Sequence, residues 1–192
     1  MPSGHLDRNT LRKQLLATRE ALSDAEFARL NEGLCAHLAR WLAAQDVRTL
    51  AFCWPWRAEP DVRSVVQHWL AADAQRRACL PVVVERNAPL TFRRWTPGVP
   101  MSADIMGIPV PGAGEVVHPQ LIMIPVNGFD ARGFRLGYGG GYFDRTLATL
   151  QPAPLTAGLG FELSRCARID EAGHDQPLDW LITEAGAARA DR

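Results

Sequence analysis

The run Asn127-Gly-Phe-Asp-Ala-Arg-Gly-Phe-Arg-Leu-Gly-Tyr-Gly-Gly-Gly-Tyr-Phe-Asp-Arg145 holds six of the chain's sixteen glycines. It follows an apolar segment and leads into a helical pattern. Glycines let backbone N–H groups approach an anion closely, and a helix N-terminus adds partial positive charge, so the pattern points to phosphate binding. Arg132, Arg135 and Arg145 add forked donors that match phosphate oxygens. Asp144 falls in the first helical turn, where a carboxylate can cap the helix or hold a Mg²⁺ that bridges phosphates. Tyr142 and Phe143 offer aromatic surface to a planar ring or to the core. Two familiar loops are excluded. A Walker A loop needs a lysine, and the chain has 20 arginines and a single lysine, Lys13. The dinucleotide fingerprint fails because Gly137 and Gly139 are followed by Tyr142 where its third glycine belongs.

Elements on either side must position this segment. Leu11, Leu15 and Leu22, then Phe27, Leu30, Leu34, Leu38 and Trp41, recur at helical spacing and predict a helical pair within residues 1–45. Ser23-Asp24-Ala25-Glu26 has capping-box spacing, so the break falls near Ser23. Thr49–Trp54 predicts a strand, Val62–Leu70 a helix, and Ala78–Glu85, with Val82-Val83-Val84, a strand buried on both faces. Leu90–Trp95 reads as an added strand. Five prolines between Thr96 and Pro119 predict a long ordered surface loop, of a length that is often functional. Leu121–Val126, Leu155–Phe161 and Leu178–Thr183 are further strands, a helix runs from about Gly141 to Leu150, and residues 185–192 read as a frayed tail. Strands alternating with helices predict a three-layer α/β/α fold with a mainly parallel sheet, in one domain over residues 1–192. Ligands in such sheets sit beyond the strands' carboxyl ends, which draws attention to the loops after Trp54, Val126 and Phe161.

The 192 residues carry 21 basic and 21 acidic side chains, so the positive footprint of a nucleic-acid binder is absent. Cys35, Cys53, Cys79 and Cys166 form no C-x-x-C pair, which leaves neither a zinc site nor a redox dithiol signalled. Apolar stretches fall far short of the ~20 residues that span a bilayer, and Met1–Thr10 lacks a secretory apolar core. A cytoplasmic monomer with no membrane partner is expected. The five histidines form no constellation, and no G-x-S-x-G elbow supports a serine hydrolase.

The stretch Gly128–Leu147 closely resembles the signature of 5-formyltetrahydrofolate cyclo-ligases, also called methenyltetrahydrofolate synthetases. Weaker similarity covers nearly the whole chain: Arg8 and Arg12 near the N-terminus, Glu59 after the first strand, Gly107-Ile-Pro-Val-Pro111, and His174-Asp-Gln-Pro-Leu-Asp179 followed by Ile182-Thr-Glu184. The resemblance implies an ATP- and Mg²⁺-dependent cyclisation of 5-formyltetrahydrofolate to 5,10-methenyltetrahydrofolate, with release of ADP and phosphate. It implies a nucleotide site of Arg8, Arg12, Arg135, Leu136, Gly137, Tyr138, Gly139, Gly140, Gly141, Tyr142 and Phe143. It assigns folate to Trp54, Glu59, Tyr138 and Tyr142, the metal to Asp144 and Asp175, and catalysis to Arg135 and Tyr142. The chain departs from the family at Gly140, where many members carry lysine, and at Arg8, where lysine is expected. Phe143 replaces a second tyrosine, Met106 an aromatic beside the pterin, and Phe161-Glu162-Leu163 lacks a nearby glutamine. A folate- or nucleotide-binding paralogue without phosphoryl transfer, and an ATP-using enzyme acting on another N-formyl compound, are the alternatives these departures leave.

Overall fold

Asp7 accepts hydrogen bonds from the Asn9 and Thr10 amides and so opens α1 (Arg8–Glu20). Ser23 and Glu26 close the expected capping box at the start of α2 (Asp24–Ala43). Both caps satisfy N–H groups that a helix start leaves without partners. The computed structural model describes residues 7–191. Beyond α2 the chain forms β1 (Thr49–Ala51), α3 (Arg63–Ala71), β2 (Arg77–Val82), β3 (Thr91–Trp95), β4 (Met101–Ala103), β5 (Pro109–Pro111), β6 (Leu121–Pro125), β7 (Gly128–Phe129), β8 (Arg135–Leu136), α4 (Tyr142–Thr149) and β9 (Leu155–Leu159). A single 3₁₀ turn (Glu162–Ser164), β10 (Trp180–Thr183) and β11 (Gly186–Arg189) complete it.

Seven strands pair in the order β11-β10-β9-β6-β1-β2-β3. The five inner strands are parallel, and the edge strands β3 and β11 run antiparallel to their neighbours. Successive side chains of a strand point to opposite faces. Leu121 and Met123 of β6 accordingly join Leu50, Leu80, α2 and α3 on one face, while Ile122 and Ile124 join Ala51, Cys79 and α4 residues Phe143 and Leu147 on the other. Covering both faces explains why the inner strands read as continuous apolar runs. The result is the three-layer α/β/α architecture with a mainly parallel sheet.

Three expectations are corrected. The supposed frayed tail contains β11, which pairs with β10 from Trp180↔Arg189 to Thr183↔Gly186 and covers an edge that would otherwise stay open. The supposed surface loop between Thr96 and Pro119 holds the β4–β5 hairpin, whose turn is set by Asp104 accepting from the Met106 and Ile108 amides. Pro109 and Pro111 read as breakers, yet a two-stranded ribbon tolerates proline at positions that owe no ladder bond. The glycine-rich segment is two structures rather than one loop: the β7–β8 hairpin, then an open turn at residues 137–141 before α4.

Candidate active site

A cavity of about 820 Å³ lies beyond the carboxyl ends of β1, β2 and β6, within the size range of small-molecule sites. Its two ends differ in chemistry. One is polar, formed by α1, the glycine turn, the first turn of α4 and residues 172–175. The other is largely apolar, formed by the loop after β1, the ends of β2 and the β4–β5 hairpin.

At the polar end, Arg12 Nε donates to the Gly137 carbonyl at 2.6 Å. Burial, helped by the neighbouring Arg8 charge, lowers the Arg12 pKa. Gly139 has φ +90°, a left-handed backbone that favours glycine, and a Cβ placed there would stand 3.6 Å from the Arg12 guanidinium carbon. Gly141, at φ +65°, opens α4. Arg135 is buried and donates to Asp144 Oδ1 at 2.8 Å and to the Gln176 carbonyl at 2.5 Å. Burial acts first to lower its pKa, against the opposing charges of Asp144 and Asp175. Arg8 pairs with Asp175 Oδ2 at 2.5 Å, where the Ala172 amide also donates at 2.9 Å. Burial acts to raise the Asp175 pKa, but the Arg8 and Ala172 hydrogen bonds outweigh it and hold the carboxyl below its usual range.

Asp144 and Asp175 occupy one corner, since the Gln176 amide donates to Asp144 Oδ1 at 3.1 Å. Each keeps an oxygen outside these bonds: Asp144 Oδ2, and Asp175 Oδ1 with His174 Nε2 3.8 Å away. Among the described residues no cluster of three or more His, Cys, Asp or Glu forms a metal cage. Two carboxylates without a cage suit a hard cation that completes its shell with phosphate oxygens and water.

At the apolar end, Trp54 and Trp56 line the cavity, and Arg63 stacks over the Trp54 ring at 4.6 Å. Glu59, 4% exposed, lines the same cavity. Its Oε1 accepts from the Tyr138 hydroxyl at 2.9 Å and its Oε2 from the Trp56 amide at 3.1 Å. Burial pushes the Glu59 carboxyl up to about 7, against the Arg19 charge and these two hydrogen bonds. Met106 and Ile108 of the hairpin and Leu80 and Pro81 of β2 supply apolar wall.

Most of the candidate residues therefore meet in one cavity: Arg8, Arg12, Trp54, Glu59, Arg135, Gly137, Tyr138, Gly139, Gly140, Gly141, Tyr142, Phe143, Asp144 and Asp175 all line it. Leu136 does not. Its side chain is fully buried, and its carbonyl accepts from the Asn127 amide. Arg132 is also turned away, spent on Asp130, Glu171 and the Ile169 carbonyl. The loop after Phe161 contributes Ala172, His174 and Asp175, while Phe161 itself is a core residue. Gly140 packs against Tyr142: a Cβ there would lie 2.8 Å from the tyrosine ring, whose face is covered by Arg145 at 5.2 Å. Sequence reasoning missed Trp56 and Arg19. The signal for Arg19 was its phase, an arginine three residues after Leu16 and four after Leu15 on the apolar stripe of α1.

An α/β sheet with an arginine-lined glycine turn and a buried carboxylate at its carboxyl edge thus brings cationic donors and aromatic surface into one cavity. The model of the 5-formyltetrahydrofolate cyclo-ligase family matches residues 5–184, and the chain belongs to that family. It is 24% identical over 179 residues to the 5-formyltetrahydrofolate cyclo-ligase of Haemophilus influenzae, covering 89% of this chain and 94% of that one. The NMR structure of Aquifex aeolicus 5,10-methenyltetrahydrofolate synthetase superposes with a TM-score of 0.81 at 29% identity, covering 97% of this chain and 94% of that one. The 5,10-methenyltetrahydrofolate synthetase of Mycoplasma pneumoniae gives 0.75 at 25% identity, covering 93% and 99%.

Proposed function

We propose that this protein closes 5-formyltetrahydrofolate to 5,10-methenyltetrahydrofolate with ATP as co-substrate, releasing ADP and phosphate. The observation that carries this is the single cavity in which Glu59 and two tryptophans face the Arg12 and Arg135 glycine turn. The formyl oxygen of an amide leaves poorly. Moving the γ-phosphoryl group onto that oxygen makes it a leaving group; N10 then attacks the formyl carbon, loses its proton, and phosphate departs with the oxygen. Positioning and charge neutralisation dominate catalysis of this kind.

Arg12 and the residue 137–141 backbone hold the phosphates, with Arg8 at the outer end of the same helix face. Arg135, anchored on Asp144 and Gln176, supports the transferred group, and Tyr142 lies between nucleotide and folate. Glu59 accepts pterin N–H groups, with Trp54 and Tyr138 beside the ring. Asp144 and Asp175 would hold Mg²⁺, which would supply positive charge to the nucleotide phosphates. We infer a monomer, with the cytoplasm as its place of action. No helix among the described residues is long and apolar enough to cross a membrane.

Mixing the purified protein with 5-formyltetrahydrofolate and Mg-ATP should produce the absorbance of the conjugated methenyl product. Binding of both ligands without product would replace this function with a binding role.

A further inference from the structure

Arg8, Arg12 and Arg19 fall at i, i+4 and i+11 on α1, one face of a 3.6-residue helix. The first two line the cavity; Arg19 does not, and is 1% exposed. Its three donor atoms reach three different segments. Nε donates to the Arg57 carbonyl at 3.1 Å, Nη1 to the Val126 carbonyl at 3.2 Å, and Nη2 to the Tyr138 hydroxyl at 2.9 Å. The Tyr138 hydroxyl has one proton to give, and gives it to Glu59 Oε1. Burial and the Glu59 charge push the Tyr138 phenol well above its ordinary pKa, which keeps it a donor. The Arg57 contact falls where the loop is least favourable by itself: Arg57 and Ala58, immediately before Glu59, both have left-handed backbones, with φ of 51° and 55°.

We propose that Arg19 is a positioning residue for folate recognition, which braces the left-handed loop before Glu59 and aims the Tyr138 hydroxyl at the Glu59 carboxylate. This rests on the folate function proposed above. Two acceptor positions of the carboxylate are taken by Tyr138 and the Trp56 amide, and Glu59 itself lines the cavity. The groups that face Glu59 are Arg19 from α1, Tyr138 from the glycine turn and the half-buried Cys53 thiol after β1.

The test is steady-state kinetics of Arg19→Gln, Arg19→Lys and Tyr138→Phe, varying each substrate separately from pH 6 to 8. The expected result for Arg19→Gln is a KM for 5-formyltetrahydrofolate raised about tenfold, with the midpoint of its pH profile moved upward by about one unit. The KM for ATP should change less than about twofold, and Arg19→Lys should recover part of the loss. If Arg19→Gln does not fold, Tyr138→Phe breaks the same chain from the glycine turn and should move the folate KM and its pH midpoint in the same direction. Equal increases in both KM values, or an unmoved pH midpoint in the folded variants, would overturn the assignment. A wild-type protein that neither binds nor converts 5-formyltetrahydrofolate would overturn the proposed function and this assignment with it, whereas an active wild type with an unaltered Tyr138→Phe variant overturns only the assignment.

Discussion

Asp130 and Asp144 both stand beside an arginine in one glycine-rich segment, and their surroundings have little in common. Asp130, 1% exposed, accepts from the Arg132, Phe134 and Ile169 amides and from the Arg132 guanidinium. Its oxygens are consumed by the fold. Asp144 accepts from Arg135 and the Gln176 amide on one oxygen and presents the other at a cavity. The first pair pins a hairpin to residues 169–171; the second leaves capacity for a ligand. Composition is nearly the same at the two places, so the count of donors converging on each carboxylate is what separates support from chemistry.

Replacing both acids should separate the two roles. Asp130→Ala leaves several buried donors without an acceptor and should cost about 3–5 kcal/mol of stability, read from the denaturation midpoint. Asp144→Ala removes the carboxylate partner of the buried Arg135 and should cost about 2–3 kcal/mol, less than Asp130→Ala, while lowering kcat by about a hundredfold or more, with the remaining rate unresponsive to added Mg²⁺. A stable, inactive Asp130→Ala protein, or an unfolded Asp144→Ala one, would reverse the contrast.

Gly140→Lys tests the open half directly. The new Cβ would meet the Tyr142 ring at 2.8 Å, so the ring must swing away and give up its contact with Arg145. Activity should fall about tenfold, the scale of roughly 1.4 kcal/mol lost from a misplaced group. Tighter ATP binding with undiminished turnover would mean that the turn adapts as lysine-bearing sites do.

Glu59 is a second buried acid, with two donors where Asp130 has more. Its folded pKa, about 7, lies above the 4.5 of a free glutamate, so the folded protein keeps the proton between those values. Stability from this group is fullest below pH 4.5 and declines as pH rises through 7. Folate affinity should run the other way, rising by up to about tenfold per pH unit on the acid side of the midpoint as the carboxylate forms. Calorimetric titration at pH 6 and 8 measures it, and a flat profile would remove Glu59 as a pterin acceptor. The smallest effect is expected at the exposed pair Arg57–Glu20, where Glu20→Gln should leave the denaturation midpoint essentially unchanged.

What the sequence discloses follows the range of the forces involved. Leu121–Val126 and the α2 stripe were legible because burial on two faces, or on one stripe, leaves a local period. The cavity-lining candidates were legible through a specific signature. Asp130 and Asp144, Arg132 and Arg135 were not distinguishable, because their partners at 169–171 and 176 are remote in sequence. The β4–β5 hairpin and β11 were hidden for a related reason: prolines and small residues have weak strand propensity, and pairing with a distant edge decides their state.

Helix α1 touches the body of the protein through Arg8 on Asp175, Arg12 on Gly137, and Arg19 on Val126 and Tyr138. Most of its long-range polar tethers thus end on groups that line the cavity or adjoin it, and they act beside the Glu20–Arg57 pair, the Arg8 bond to the Asp170 carbonyl and the buried Leu16. Attachment of the N-terminal segment and assembly of the pocket are consequently one event. Amide exchange along α1 becomes a gauge of occupancy, slowing when either end of the cavity is filled, and a shortened N-terminus would disarm both ends together.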